Sequence, residues 1–276
     1  MNTDRLPKTT PEIAPTLRVI EGEQDASIVV PSIETEIFRD RLAPFYVGIL
    51  ATPQVVVDET AWNAARMLRA RVYIDEMKFL PETARKPDGG EDDADDLRSV
   101  QFGVYENMNT GGDARLVGTS RLILKRDEED LLPVEQLYPE VFTDTPAELG
   151  SVETSRVIAR HEDKRTTRKC ISLALIRAMA AWSMREDRKP VYAVIDASVK
   201  KMYDRMEFPY AIMSDLKYVG EYQSENWAVK IDPKEVVEQT KPSEHAASIM
   251  QIFLANVDKT QGLGYYDQLL TQASEE

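Results

Sequence analysis

Charged and aromatic residues form five short patterns that follow one another in a fixed order along the chain. Arginine and aromatic residues come first, an acidic run follows, and a second arginine precedes an acid–serine–arginine triplet. The members are Arg69, Tyr73, Phe79, Glu91, Asp93, Asp96, Arg121, Glu153, Ser155 and Arg156. A carboxylate can attract a cation or accept a proton, and a guanidinium offers a planar fork to a carboxylate. These residue types could therefore bind a charged small molecule and move a proton.

Each pattern also has an ordinary structural interpretation when it is taken alone. Arg69 could be an exposed helix charge, residues 91–96 a solvated acidic loop, and Arg121 a residue on a strand surface. Glu153 and Arg156 could form a common ion pair. The chemical interpretation therefore depends on the ordered occurrence of all five patterns.

Other catalytic schemes find little support in the residue content. The single cysteine, Cys170, lies near the start of an apolar helix, where a buried thiol is the expected interpretation. The two histidines, His161 and His245, have no spacing for a zinc site, and no Gly-x-Ser-x-Gly turn pairs with His161. We therefore expect neither a metal site nor a serine hydrolase.

The charge distribution limits the possible partners. A net charge of −14 disfavours nucleic acid, and no stretch approaches the roughly 20 apolar residues that span a bilayer, so the expected location is the cytoplasm. Residues 160–205, however, contain twelve basic and six acidic residues, a local charge of +6 against −20 elsewhere. This stretch is either a set of solvated helix faces or a docking patch for an acidic protein.

The periodicity predicts a mixed fold that would position these patterns. Asp58 is the expected N-cap of a helix that runs toward residue 77, and residues 99–106 and 114–124 are predicted to form an antiparallel hairpin. Residues 126–147 are predicted to form a connection. A third strand with Glu153, a long apolar helix over about 167–185, a strand, a short helix and a last strand complete an α/β or α+β arrangement.

The ends of the chain are expected to lie outside this domain. Residues 1–57 contain repeated prolines and one possible short amphipathic helix through Ile33 and Phe45, and are interpreted as an N-terminal extension. The domain itself is expected over residues 58–232. Residues 233–276 are interpreted as a C-terminal extension, with Ser243 capping an amphipathic helix.

Taken together, the five patterns resemble those of the acyl-homoserine-lactone (autoinducer) synthases, over about residues 62–225. That family has Arg followed four residues later by one aromatic and six further on by another, then Glu-x-Asp-x-x-Asp, Gly-x-x-Arg-Leu and Glu-x-Ser-Arg. The matching residues that complete the strand motif are Gly118 and Leu122. The resemblance implies a fold similar to that of GNAT acetyltransferases, with a mixed, mostly antiparallel sheet flanked by helices.

The resemblance also implies a reaction and roles for residues. The family transfers an acyl chain from a thioester to the amine of S-adenosylmethionine and then closes an N-acyl-homoserine lactone, a quorum-sensing signal. Catalytic positions would be Glu153, Arg156, Asp93, Asp96 and Arg121, with Glu153 accepting the amine proton and Arg156 positioning Glu153. Substrate-binding positions would be Arg69, Tyr73, Phe79 and Ser155. No cofactor is expected beyond the two substrates.

The expected acyl donor is acyl carrier protein, with acyl-CoA as the alternative. The stretch before the long helix, DKRTTRKC, has no glycine for a coenzyme A pyrophosphate cradle. The same stretch begins the basic segment, so Arg165, Arg168 and Lys169 are predicted to dock an acidic carrier protein.

Two other functions remain open from the sequence. The family usually has Phe at the position of Tyr73 and Trp at that of Phe79, so the acceptor could be a free amino acid, as in N-acyl amino acid synthases. The chain could also be a non-catalytic protein that binds an acyl ligand or a carrier protein.

Overall fold

A twisted sheet forms the centre of the computed structural model, which describes residues 45–53, 55–106, 115–161, 165–205, 208–233 and 235. Its eight strands lie in the order β1-β2-β3-β4-β5-β8-β6, and β7 also pairs with β8. Strands β4 and β5 pair in parallel, and the other described pairs are antiparallel. The strands are β1 (Phe45–Ala51), β2 (Ser99–Glu106), β3 (Arg115–Leu124), β4 (Val152–Ala159), β5 (Val191–Asp196), β6 (Ala211–Ile212), β7 (Lys217–Val219) and β8 (Ser224–Ile231).

Helices cover both faces of the sheet. They are α1 (Glu59–Ala70), α2 (Pro133–Leu137), α3 (Pro139–Phe142), α4 (Arg165–Arg185) and α5 (Ala197–Arg205). A π-helical turn, Arg71–Glu76, continues α1, and short 3-10 helices span Glu82–Ala84 and Ala94–Arg98. None of the described helices is long and apolar enough to cross a membrane. The fold class expected from the sequence, a mostly antiparallel mixed sheet flanked by helices, is confirmed.

The two faces of the sheet are built differently. Apolar residues of β2 and β3, such as Phe102 and Leu122, pack with Ile171 and Leu175 of α4 in the main core. The opposite face carries Ile123 and packs against α2 and α3. Because side chains alternate along a strand, Arg121 lies on this second face together with Ile123.

Local sequence signals explain several elements. The Asp58 carboxylate accepts a hydrogen bond from the Ala61 N–H at 2.9 Å, which confirms the predicted N-cap of α1. Gly118 lets α4 approach β3, since a Cβ atom there would lie 2.5 Å from Ile171 Cγ2 and 2.9 Å from the Ile158 carbonyl oxygen. The glycine of the strand motif therefore has a packing role.

Strands β4 and β5 separate after a short parallel contact. The described ladder joins Val152, Glu153 and Thr154 to Val191, Tyr192 and Ala193, and no later described pair continues it, although both strands run on. Parting strands leave backbone groups and side chains free to line a space between them.

Two sequence-based boundaries differ from the structure. Strand β1 pairs with β2 at the edge of the sheet, so the described domain includes residues that the predicted extension 1–57 excluded. Residues 126–147, predicted as a connection, contain α2 and α3, each begun by a proline at its first turn. The predicted helices near Ile33 and Ser243 lie outside the described residues.

Candidate functional site

Six charged side chains from four parts of the chain meet on the sheet face that carries α1, α2 and α3. We name them the acid–arginine cluster. Arg69 comes from α1, three acids come from the loop that leads into and through the 3-10 helix Ala94–Arg98, and two arginines come from β3 and β4. The cluster consists of Arg69, Glu91, Asp93, Asp96, Arg121 and Arg156.

Arg69 is the most deeply buried member of the cluster, with no exposed side-chain surface. Its two Nη atoms donate to the two oxygens of Asp96 at 2.8 and 2.9 Å, and its Nε donates to Glu91 at 2.5 Å. This bidentate geometry fits a planar guanidinium. Arg69 is not among the described residues that line the cavity described below, so its predicted role in substrate binding becomes one of holding the two acids.

Arg121 joins the two aspartates. Its Nη1 donates to Asp93 at 2.5 Å and to Asp96 at 2.8 Å, and its Nη2 donates to Asp93 at 2.9 Å. Gln101 adds a hydrogen bond to Asp96 at 2.8 Å. Every acid of the cluster is therefore shared between at least two donors.

The acidic loop is also ordered by its own backbone. Asp93 caps the 3-10 helix by accepting from the Asp95 N–H, while the Asp96 carboxylate accepts from the Asp93 N–H at 2.9 Å. The spacing Glu-x-Asp-x-x-Asp thus places the second aspartate one helical turn after the first. Both carboxylates can then reach Arg121.

Arg156 reaches the cluster through a break in β4. The register between β3 and β4 shifts between Thr119 and Arg121, and Arg156 has a left-handed φ of 53°. Strand alternation alone would direct Arg156 toward α4, where Thr154 contacts Met179. The left-handed turn instead brings its Nη2 to Glu91 at 3.2 Å and to Asp93 at 3.0 Å.

Two aspartates of the cluster, Asp93 and Asp96, stay ionised at neutral pH. Burial alone would raise the pKa of the Asp96 carboxyl, but the charges of Arg69 and Arg121 hold that pKa well below its ordinary range. Burial also opposes ionisation of Asp93, whose pKa is lowered by its hydrogen bond and charge contact with Arg121. Asp93 and Asp96 are therefore poor proton acceptors.

Glu153 stands apart from these ion pairs. Its side chain is 1% exposed, and its Oε2 accepts a hydrogen bond from the Val134 N–H at 2.7 Å. Burial raises the pKa of this carboxyl to about 8, against the lowering effect of the Val134 hydrogen bond. The expected positioning of Glu153 by Arg156 is wrong, because Arg156 contacts Glu91 and Asp93 instead. A carboxyl with a pKa near neutrality is suited to proton transfer.

A cavity of about 470 Å³ opens between the separated strands β4 and β5. Its lining is mostly apolar, as expected for a site that holds a hydrocarbon chain. At one end its wall includes Tyr73 and Phe79, and deeper in the core it includes Met179 of α4. Glu153, Ser155 and Arg156 also line it. The cavity therefore connects the acid–arginine cluster with the apolar core.

An aromatic wall borders this cavity beside the cluster. Tyr73 and Phe79 stack with ring centroids 6.4 Å apart, and the Arg156 guanidinium lies 5.3 Å from the centre of the Tyr73 ring. The π-helical turn that follows α1 carries Tyr73. Gln223 donates to the Lys78 carbonyl at 2.9 Å, which ties the segment before Phe79 to the turn that contains Tyr222.

The predicted docking residues lie at the start of α4. Arg168 is exposed and donates from Nε to the His161 carbonyl at 3.4 Å. The side chains of Arg165 and Lys169 lie outside the described part of the structure, although the helix backbone there is described. The docking role stays a prediction.

Sequence reasoning missed three contributors to the site. Glu91 belongs to the Glu-x-Asp-x-x-Asp motif, but the sequence predicts no role for it. In the structure it forms ion pairs with both Arg69 and Arg156. The Val134 N–H and Tyr222, whose phenol pKa is raised by burial and by the neighbouring Glu153, had no motif. A backbone donor has no residue signature, and Tyr222 lies in a turn between two short strands.

Comparison with known proteins identifies the fold but not the family. No protein-family model matches the sequence, and no curated protein matches it. Among solved structures, BjaI, a CoA-dependent acyl-homoserine lactone synthase solved with SAM and isopentyl-CoA, superposes with a TM-score of 0.56 at 15% identity. That match covers 76% of this chain and 90% of BjaI.

Two further synthases give similar values. LasI, described as an AHL synthase, has a TM-score of 0.54 at 18% identity, covering 76% of this chain and 94% of LasI. MesI, a CoA-dependent acyl-homoserine lactone synthase, has a TM-score of 0.52 at 13% identity, covering 74% and 93%. The chain therefore has the fold of these synthases, as expected from the five patterns.

Proposed function

We propose that the protein is an acyltransferase that moves an acyl chain from a thioester to the amine of S-adenosylmethionine and releases an N-acyl-homoserine lactone. The observation that carries this proposal is the position of Glu153, a buried carboxyl with a raised pKa, in an apolar cavity beside the acid–arginine cluster. The fold shared with BjaI, LasI and MesI supports it.

The acceptor would bind where the cavity meets the cluster. S-adenosylmethionine carries positive charge at its sulfonium and amine, and the ionised Asp93, which is partly exposed, would attract both. Its carboxylate would contact Arg156, which lines the cavity and whose buried Nε has no hydrogen-bond partner among the described residues. Tyr73 and Phe79 would form the wall against the adenine or the sulfonium.

Acyl transfer would then use Glu153 as the general base. The bound ammonium first loses one proton to solvent, and the neutral amine nitrogen then attacks the thioester carbonyl. A C–N bond forms, the C–S bond breaks, and the remaining amine proton passes, directly or through water, to Glu153 and from there to the leaving sulfur. Backbone N–H groups of residues 155–157, beyond the end of the β4–β5 ladder, are the candidates for stabilising the oxyanion. The leaving thiolate takes up a proton as it departs.

Lactone closure would follow within the acyl product. The carboxylate of the acyl-adenosylmethionine attacks the carbon beside the sulfonium, so a C–O bond forms and a C–S bond breaks. Methylthioadenosine is the leaving group. The ionised, partly exposed Asp93 favours the cationic sulfonium in the bound acceptor, while Arg156 orients the attacking carboxylate.

The proposed donor is acyl carrier protein, docked on the basic start of α4. Replacing Arg165, Arg168 and Lys169 together by Glu should raise the KM for acyl carrier protein by about tenfold, because charge complementarity governs encounter of the two proteins. The KM for a short acyl-pantetheine thioester should stay nearly constant. Steady-state kinetics with both donors measure the difference.

A matched triple reversal elsewhere on the surface controls for net charge. The exposed residues for this control are Lys86, Arg126 and Lys217. It should change neither KM by more than about twofold, since the added charges lie away from α4. Equal loss with both donors in the α4 variant would mean damage to the cavity and would reject the docking assignment.

Mass spectrometry of extracts from cells that express the chain tests the function as a whole. Cells with the unchanged protein should accumulate an N-acyl-homoserine lactone, and cells with Glu153→Gln should not. An N-acyl amino acid in place of the lactone would favour a free amino acid acceptor, to which the departures at Tyr73 and Phe79 also point. Identical extracts from both strains would reject acyl transfer.

A further inference from the structure

A buried ion pair lies behind Glu153, outside the cavity. The Lys125 Nζ donates to both carboxylate oxygens of Glu135, at 3.1 and 2.9 Å. The side chains are only 2% and 3% exposed. Lys125 follows the end of β3, and Glu135 lies in α2, so the pair fastens that short helix to the sheet.

The same carboxylate also organises the backbone around α2. Oε2 of Glu135 accepts from the Leu132 N–H at 2.8 Å, and Oε1 accepts from the Ala147 N–H at 3.0 Å. Four hydrogen bonds thus converge on one carboxylate, so its charge is fully satisfied. Two of these bonds hold Leu132, just before α2, and Ala147, after α3, to the Glu135 carboxylate.

Val134 lies in the chain between Leu132 and Glu135, which are joined by a hydrogen bond. Leu132 and Glu135 are held by the buried pair, and the Val134 N–H between them donates to Glu153 Oε2 at 2.7 Å. Val134 itself is fully buried in the apolar cluster on this face. The direction of its N–H therefore depends on the position of the turn that Glu135 holds.

Stability alone is a weak reason for such a pair. Desolvation of two charges largely offsets their attraction, and apolar replacements of buried pairs are often neutral or stabilising. We infer that Lys125 and Glu135 are positioning residues for the reaction, because they hold the 132–135 turn so that the Val134 N–H contacts the Glu153 carboxylate. This inference rests on the proposed function of Glu153.

The Val134 hydrogen bond affects the protonation of Glu153. The charged and titratable groups near it are Asp95 and Arg98 of the 3-10 helix, Arg121 of β3, and Tyr222 of the turn before β8. None of these belongs to the 132–135 turn. Loss of the Val134 hydrogen bond, which favours the ionised carboxylate, would therefore raise the pKa of Glu153 further with the other neighbours unchanged.

Carbon-detected NMR titration of the Glu side-chain carboxyls tests this in the free protein, with the Glu153 signal assigned by its loss in Glu153→Gln. In the double variant Lys125→Met with Glu135→Gln, which removes the pair without changing the net charge, the Glu153 midpoint should rise by about one pH unit, since one net hydrogen bond is lost. In the unchanged protein the Val134 amide proton should shift with the same midpoint as Glu153.

The core variant Val100→Ala is the matched control, because it removes buried methyl groups on the other face of the sheet. It should lower stability and leave the Glu153 midpoint where it is. An unmoved midpoint in the double variant, or a Val134 amide that does not follow Glu153, would overturn the inference. A moved midpoint in a protein with no acyltransferase activity would uphold the positioning and reject the proposed function.

Discussion

Replacement of Glu153 by Gln is expected to lower kcat by about a hundredfold or more while leaving the protein folded. Gln keeps the size of the side chain and can still accept from the Val134 N–H, but it cannot take the amine proton. Steady-state kinetics with S-adenosylmethionine and an acyl thioester measure the loss. The exposed change Glu129→Gln is the control and should retain full activity.

The pH dependence adds a second expected result for Glu153. Since burial raises the pKa of this carboxyl to about 8, the active, ionised fraction should increase as pH rises through 8, and Glu153→Gln should lose that rise. The folded protein binds this proton more tightly than the unfolded chain does, so its stability should fall between about pH 4.5 and 8. Thermal melts should show Glu153→Gln gaining stability relative to the unchanged protein over that range. Near-normal activity in this variant would remove Glu153 from the reaction.

Replacement of Arg121 by Met is expected to destabilise the fold by about 3–5 kcal/mol. The change leaves Asp93 and Asp96 without the guanidinium that contacts both, and Asp96 is only 7% exposed. The two carboxylates would then repel each other with less positive charge nearby, so their pKa values should rise. The loss of folding stability should therefore grow as pH increases. Urea denaturation at pH 5 and pH 8 measures both effects.

Arg126→Met is the matched control for that variant. Arg126 also donates twice to one aspartate, Asp130, but its side chain is 51% exposed, so the pair is screened by water. Its loss should cost far less stability than the loss of Arg121. If Arg121→Met costs as little as Arg126→Met, the acid–arginine cluster is not the rigid unit that its geometry indicates.

The sequence predicts the elements that carry the site because their signals are local. Asp58 caps α1 as expected, β2 and β3 pair as the predicted antiparallel hairpin, and the long apolar helix packs on the sheet. Spacing also brought the acids of residues 91–96 together with three arginines. Ordered motifs predict a site correctly when their residues must contact one another on the same face of the sheet.

The details that the sequence could not supply depend on long-range geometry. The left-handed conformation of Arg156 turns its side chain from the α4 face of the sheet to the face that carries the cluster, where it contacts Glu91 and Asp93. Strand alternation carries no signal for such a bulge. Likewise, α2 is too short for a periodic pattern, yet it provides the hydrogen bond to Glu153.

The same limits apply to the edge of the domain. Strand β1 contains several apolar residues but follows a proline-containing stretch, and this composition predicts an extension and not a strand of the domain. Its partner, β2, lies about fifty residues later, and the pairing of Phe45 with Glu106 has no local signature. Tertiary pairing decides the state of such a segment.

The most direct measurement is the stoichiometry of methylthioadenosine release by the purified protein. Given acyl carrier protein thioester and S-adenosylmethionine, the account predicts one methylthioadenosine for each acyl chain transferred, with both products lost in Glu153→Gln. Chromatography with mass detection quantifies the two products in one sample. Acyl transfer to a free amino acid without methylthioadenosine, or no acyl transfer to S-adenosylmethionine at all, would contradict it.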